Sequence, residues 1–259
     1  MGTHRWLPPI PPEHGAKTLL LVALATPVSI GIGAETAVPL GFGPAYLLFV
    51  GIAAGSMLFR EATRQFFLSD PTKRRRYGLI AALEAVGILG LTGGLMALEG
   101  TGWGLLLLLP IGGAIEARLA RDRRSKPLLK AGTGVLAIGA LVPIGLLLLG
   151  FTDPTLVLAG YGLFFGYHLL AVLRVGAAVE AGERVPAIAL LVPLTVVGIA
   201  VVGYGSGFLG ISSPVVFGLS ALRSGQLQQR TGTPSLKRLG QTEAMLSLAF
   251  VLAGPFLLA

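Results

Sequence analysis

At 259 residues, with 53% hydrophobic residues, a mean hydropathy of +0.79 and only 12% charged residues, the chain carries more apolar surface than a soluble core of its length can bury. That balance excludes an ordinary water-soluble enzyme and points to lipid as the solvent. The formal charge of +8 suggests nucleic acid as a partner, yet the positions of the charges, set out below, account for it with no nucleic acid at all.

Residues 1–17 are polar and proline-rich (Pro8, Pro9, Pro11, Pro12) and read as a cytoplasmic N-terminal segment. They lack the pattern of a cleaved signal peptide, and Met1-Gly2 is not followed by the Ser or Thr at position six that myristoylation wants. Residues 18–259 read as a single transmembrane domain. A helical crossing needs about 20 mostly apolar residues, and such stretches lie at 18–34, 39–59, 77–98, 101–117, 131–151, 154–173, 186–204, 207–222 and 240–258. Their apolar runs are continuous and do not alternate with period two, so helices are expected rather than a barrel. The expected fold is therefore all-α, a polytopic bundle of about nine transmembrane helices.

Charge placement orients it. With the N-terminus inside, the inner face receives Arg5 and Lys17, then Arg60, Arg64 and Lys73 to Arg76 after the second stretch. Arg118, Arg121, Arg123, Arg124, Lys126 and Lys130 follow the fourth, Arg174 and Arg184 the sixth, and Arg223, Arg230, Lys237 and Arg238 the eighth. All 20 Lys and Arg then fall on one side, and the C-terminus is outside. Zero Cys leaves no disulfide, thiolate nucleophile or cysteine metal site, and three scattered His (His4, His14, His168) leave little for a conventional metal cluster.

Polar residues at membrane depth are the main clues to function, because each is costly there. Glu84, in the third stretch, is the deepest acid and reads either as the partner of an Arg or as a functional group. His168 lies in Gly166-Tyr167-His168-Leu169-Leu170 and reads as a hydrogen-bonded packing residue or a ligand. Glu243, in Gly240-Gln241-Thr242-Glu243, is expected at a helix N-terminus, where the dipole stabilises an acid. The second stretch ends in Phe59-Arg60-Glu61-Ala62-Thr63-Arg64-Gln65, with Arg60 and Arg64 on one helical face and Glu61 beside them. The sixth continues through Arg174 to Glu180-Ala181-Gly182-Glu183-Arg184. Arginines at a cavity mouth can hold a phosphate, pyrophosphate or carboxylate, and inside-positive anchoring accounts for the same residues. A weak parallel repeat relates the first four stretches to the next four. Pro27 matches Pro143, Gly51-x-x-x-Gly55 matches Gly162-x-x-x-Gly166, and Pro110 matches Pro214.

The most specific string is Ile10-Pro11-Pro12-Glu13-His14-Gly15-Ala16. With a basic loop after the second stretch and a closing Lys237-Arg238-Leu239-Gly240-Gln241-Thr242-Glu243, the chain resembles the YwiC-like family of bacterial membrane proteins. The resemblance implies a multi-pass protein of the bacterial cytoplasmic membrane, of no established activity, with Glu13, His14, Gly15 and Glu243 as the carried-over positions. Lys17 stands where that pattern has an aromatic residue.

Nine helices, an inside N-terminus and polar ends after the second and sixth also resemble the UbiA superfamily of intramembrane prenyltransferases. That resemblance implies a cytoplasm-facing cavity taking an isoprenoid, with Mg²⁺ as cofactor only if a prenyltransferase-type activity is retained. Where an Asn-Asp-x-x-Asp motif would stand, this chain has Arg60-Glu61-Ala62-Thr63-Arg64, while Gly182-Glu183-Arg184 is similar to the second motif. On this reading Glu13, His14, Glu84, Glu180 and Glu183 are the catalytic candidates. Arg60, Glu61, Arg64, His168, Arg174 and Glu243 are the ligand-binding candidates. The partners expected are membrane lipid and an isoprenoid or anionic small molecule. The alternatives are a transporter, favoured by the repeat, and an accessory subunit of a membrane complex, favoured by the Gly-rich faces.

Overall fold

A computed structural model describes residues 14–33, 43–119, 134–135, 137–180, 196–197, 199–200, 203, 205, 209–228 and 236–258. Apart from turns and an isolated antiparallel bridge between Leu209 and Leu258, the described residues are helical. The helices are α1 (His14–Gly33), α2 (Pro44–Leu68), α3 (Pro71–Glu99), α4 (Leu108–Leu119), α5 (Leu141–Leu148), α6 (Pro154–Glu180), α7 (Ser212–Gln228) and α8 (Leu236–Ala253). A 3-10 segment, Thr101–Leu107, precedes α4, and another, Gly254–Phe256, follows α8. Three helical stretches are long and apolar enough to cross a membrane: Pro44–Leu68, Pro71–Glu99 and Pro154–Val172. The stretch expected at 186–204 lies mostly outside the described residues.

Several helices outrun their apolar stretches. The second was expected to end near residue 59, but α2 continues to Leu68, and α3 begins at Pro71 rather than 77. Arg and Gln are good helix formers, so the polar sequence after Phe59 prolongs the helix instead of ending it. What ends it is Ser69-Asp70-Pro71: extended backbone at Ser69 and Asp70, then a proline in the first turn of α3. Prolines also mark irregularities elsewhere. Pro110 and Pro143 are each the third residue of their helix, and each lacks the N–H that would bond the carbonyl four residues back. Helical geometry accordingly changes from 3-10 to α just before Pro110 and is interrupted at Ala140 before Pro143.

The chain divides into two compact units. One holds α2, α3, the first 3-10 segment and α4. Within it α2 and α3 form an antiparallel hairpin whose register follows from glycines. A Cβ on Gly51 would sit 3.2 Å from Leu91, one on Gly55 3.1 Å from Ile88, and one on Gly78 3.3 Å from Phe66. The expected close packing at Gly51-x-x-x-Gly55 is thus present, with α3 as its partner. Gly100, at φ +101, reverses the chain after α3, a conformation open to glycine and strained for other residues.

The other unit holds α1 from Lys17 onward and α5 to α8. Its centre is aromatic: Phe164, Tyr167, Phe217 and Phe250 are all buried, with Tyr167 stacked on Phe250 at 4.7 Å. Gly162 has nothing within 4 Å, so only Gly166 of the second glycine pair meets a neighbour, in ordinary contact with Phe217.

The end of α8 shows how a buried helix terminus is satisfied. Pro255 has no N–H, so the Val251 carbonyl four residues earlier loses its ordinary donor. The Ser29 hydroxyl of α1 donates to that carbonyl instead. The Ser212 hydroxyl donates to Ala253 at 3.1 Å, and Leu257 accepts from both the Ser213 hydroxyl (2.8 Å) and the Gly210 N–H (2.9 Å). Small residues make this possible, since a Cβ on Gly33 would overlap the Pro255 backbone and one on Gly254 the Ser29 side chain.

Candidate functional site

The polar end of α2 forms the best-defined polar constellation among the described residues. Glu61 is 1% exposed, and Arg64 and Gln65 follow it at i+3 and i+4, where one helical turn brings them alongside. Arg64 Nε donates to Glu61 Oε2 at 2.9 Å and Arg64 Nη2 to Oε1 at 2.9 Å, a fork-on-fork pair. Gln65 Nε2 donates to the same Oε1 at 2.8 Å. The Arg64 side chain is 20% exposed, so the pair lies largely inside the protein. Arg60 begins the same turn. Its stem lies over Gly113 of α4, where a Cβ would come within 3.1 Å, so a glycine on α4 makes room for an arginine on α2.

This geometry gives a guanidinium a fixed plane and orientation. The carboxylate of Glu61 aligns Arg64, Gln65 completes the carboxylate, and Arg60 adds a second cation one turn away. Such an arrangement suits an anionic head group. It does not suit Mg²⁺, which needs several carboxylate oxygens, because Glu61 is the one acid of this turn and both of its oxygens already accept hydrogen bonds. Among the described residues no group of three or more His, Cys, Asp or Glu is placed to hold a metal.

Glu84 lies on α3, in the same compact unit. Its two carboxyl oxygens are buried without a hydrogen-bond partner, so it is not the partner of an Arg that the sequence allowed. Asp70 is a turn residue at the junction of α2 and α3, with its carbonyl accepting from the N–H groups of Lys73 and Arg74 at 3.0 Å each.

Of the remaining candidates, His168, Arg174, Glu180 and Glu243 belong to the other unit. His168 of α6 is 2% exposed, stacked on Phe164 at 4.2 Å and edge-on to Tyr167 and Phe250. Its Nδ1 lies 2.9 Å from the Phe164 carbonyl. A carbonyl can only accept, so Nδ1 carries the proton and the ring is held in one tautomer. Tyr167 donates to the Leu246 carbonyl at 2.8 Å, tying α6 to α8. Arg174 lies in the last third of α6, and Glu180 is its final residue. Glu243 departs from expectation: α8 starts at Leu236, which puts Glu243 two turns inside the helix. Helix-dipole stabilisation fades beyond the first turn, so the dipole does not account for this acid. His14 opens α1, while Glu13 and Glu183 lie outside the described residues.

Sequence reasoning did not single out Gln65 or the Ser29–Val251 bond. For Gln65 the signal was its i+4 spacing from Glu61. For Ser29 it was Pro255, which orphans a carbonyl that some donor has to meet. No protein-family model, no curated protein and no solved structure matches this chain.

Proposed function

We propose that the chain is a multi-pass protein of the bacterial cytoplasmic membrane, akin to the YwiC-like family, with a UbiA-like arrangement of about nine helices. Its N-terminus lies inside and its C-terminus outside. On this reading it binds an isoprenoid or other anionic lipid by its head group at the inner end of α2. The observation that carries this reading is the Glu61–Arg64–Gln65 network beside Arg60: a buried, bidentate pair that orients a guanidinium at a helix end. The three helices of crossing length and the one-sided distribution of Lys and Arg support the membrane placement. Direct contact with arginine takes the place of a metal at this end, which separates the proposal from ordinary metal-dependent prenyl transfer. Binding and orientation of the lipid are the activity proposed.

A second reading has its own support. α3 leaves Leu83, Val86 and Leu89 exposed, and Gly87, Gly90 and Gly93 have nothing within 4 Å, a surface suited to a partner helix of a larger membrane complex. Native mass spectrometry of protein extracted gently from its own membrane, with lipid identification, separates the two. A one-to-one anionic lipid or isoprenoid that is lost in Arg60→Ala supports the binding site. Lipid-free protein that arrives with stoichiometric partner subunits refutes it and favours the complex.

A further inference from the structure

We infer that Glu84 is the binding residue for a small monovalent cation, a proton or a sodium ion, held inside the α2–α3 hairpin. This goes beyond the head-group site and does not depend on it. Both carboxyl oxygens of Glu84 are buried and neither has a hydrogen-bond partner. Its own helix offers no help, because the residues one turn away on either side are Ile80, Ala81, Gly87 and Ile88, none with a side-chain donor. Ile80 and Ile88 are themselves buried, which places Glu84 in the middle of a packed stripe of α3.

The elements packed on α3 are α2 and the 3-10 segment Thr101–Leu107. The 3-10 segment has no titratable side chain. Contacts at Gly55–Ile88 and Gly78–Phe66 bracket the register, so Glu84 runs alongside the Phe59–Thr63 turn of α2. The charged groups there are Arg60, Glu61 and, one turn on, Arg64. Glu61 and Arg64 bond each other, and the stem of Arg60 is turned to Gly113 on α4. On α3 itself the nearest titratable residues are Arg76 and Tyr77, two turns earlier.

A carboxylate so placed needs a positive partner, since an unpaired charge in such an interior is strongly unfavourable. One carboxylate supplies one negative charge, which matches a monovalent ion, whereas a divalent ion wants several. Because the carboxyl oxygens are closed off from solvent, an ion small enough to enter a packed hairpin fits better than an organic cation.

The full-length chain reconstituted in phosphatidylcholine nanodiscs tests this with dicyclohexylcarbodiimide, an apolar reagent that adds to protonated carboxyl groups. The expected result is one adduct, mapped by peptide mass to Glu84 and absent from E84Q. Labelling that falls about tenfold per pH unit on alkalinisation and ignores sodium chloride identifies the proton. Labelling that sodium chloride suppresses and choline chloride does not identifies sodium. Wild-type protein with no adduct on Glu84, or with labelling indifferent to both pH and sodium, overturns the proposal. Because the readout is on the wild-type chain, it stands even if E84Q folds poorly.

Discussion

Replacing Ser29 with alanine removes the hydroxyl that answers the Val251 carbonyl, and Pro255 has no N–H to take over. Ser29 is buried, so water does not readily replace it. Orphaning a buried acceptor costs about 1–3 kcal/mol, while side-chain bonds between membrane helices are worth roughly 0.6 on average and about 1.7 at most. These ranges overlap near 1–1.5 kcal/mol, which for a chain of this length lowers the melting temperature by roughly 2–6 °C. The sharper test is the cycle with Pro255→Ala, which restores an N–H four residues beyond Val251. In that background Ser29→Ala should cost less than about 0.5 kcal/mol, giving a coupling near 1 kcal/mol between residues on α1 and on the segment after α8. Thermal unfolding of the four proteins in nanodiscs measures it. Equal costs for Ser29→Ala in both backgrounds would refute the idea that the serine serves the carbonyl left by the proline.

Glu61→Ala leaves the Arg64 guanidinium with its bidentate partner removed, for which a buried pair costs about 3–5 kcal/mol. With Arg64 one-fifth exposed the lower end is expected, and Glu61→Ala/Arg64→Ala should regain all but about 1 kcal/mol in the same melting assay. A double variant no more stable than Glu61→Ala would show that the pair is not the unit that matters. Because the chain has no Cys, single-cysteine labelling reads its topology without background. A membrane-impermeant maleimide should reach Glu99→Cys and Asp153→Cys in intact cells but Lys73→Cys only after permeabilisation, all three positions being exposed. Labelling of Lys73→Cys in intact cells would reverse the orientation.

Hydropathy located the middles of the described helices because apolar stretches and helices share a cause: backbone polar groups away from water have to be paired within the segment. It misplaced the ends where that cause stops operating. Beyond Phe59 the chain is polar, yet α2 continues for two and a half turns, because helix propensity and the Glu61–Arg64–Gln65 bonds sustain it until Ser69-Asp70-Pro71. The same reasoning explains Glu243. The helix that holds it starts in Leu236-Lys237-Arg238, residues that hydropathy assigns to a loop, so a residue expected at the first turn lies well inside. Contacts between distant segments were less legible. Nothing near Ser29 in the sequence names Val251, although the requirement that some donor meet the carbonyl behind Pro255 could have been read from the proline alone.

Glu61 and Glu84, the two acids of the α2–α3 hairpin whose carboxyl groups are withdrawn from solvent, show how far local spacing reaches. Glu61 has an arginine at i+3 and a glutamine at i+4, so one turn of its own helix satisfies its carboxylate, and the residue is 1% exposed with both oxygens paired. Glu84 has isoleucines at i−4 and i+4, alanine at i−3 and glycine at i+3, so no residue of its helix can satisfy it. Both facts are legible before any fold is known. The fold adds that α2 brings Glu84 no hydrogen-bond donor either. An acid satisfied by its own helix is a structural fixture that can orient an arginine. One that no neighbouring element satisfies is left for a ligand, and the smaller the opening, the smaller that ligand must be.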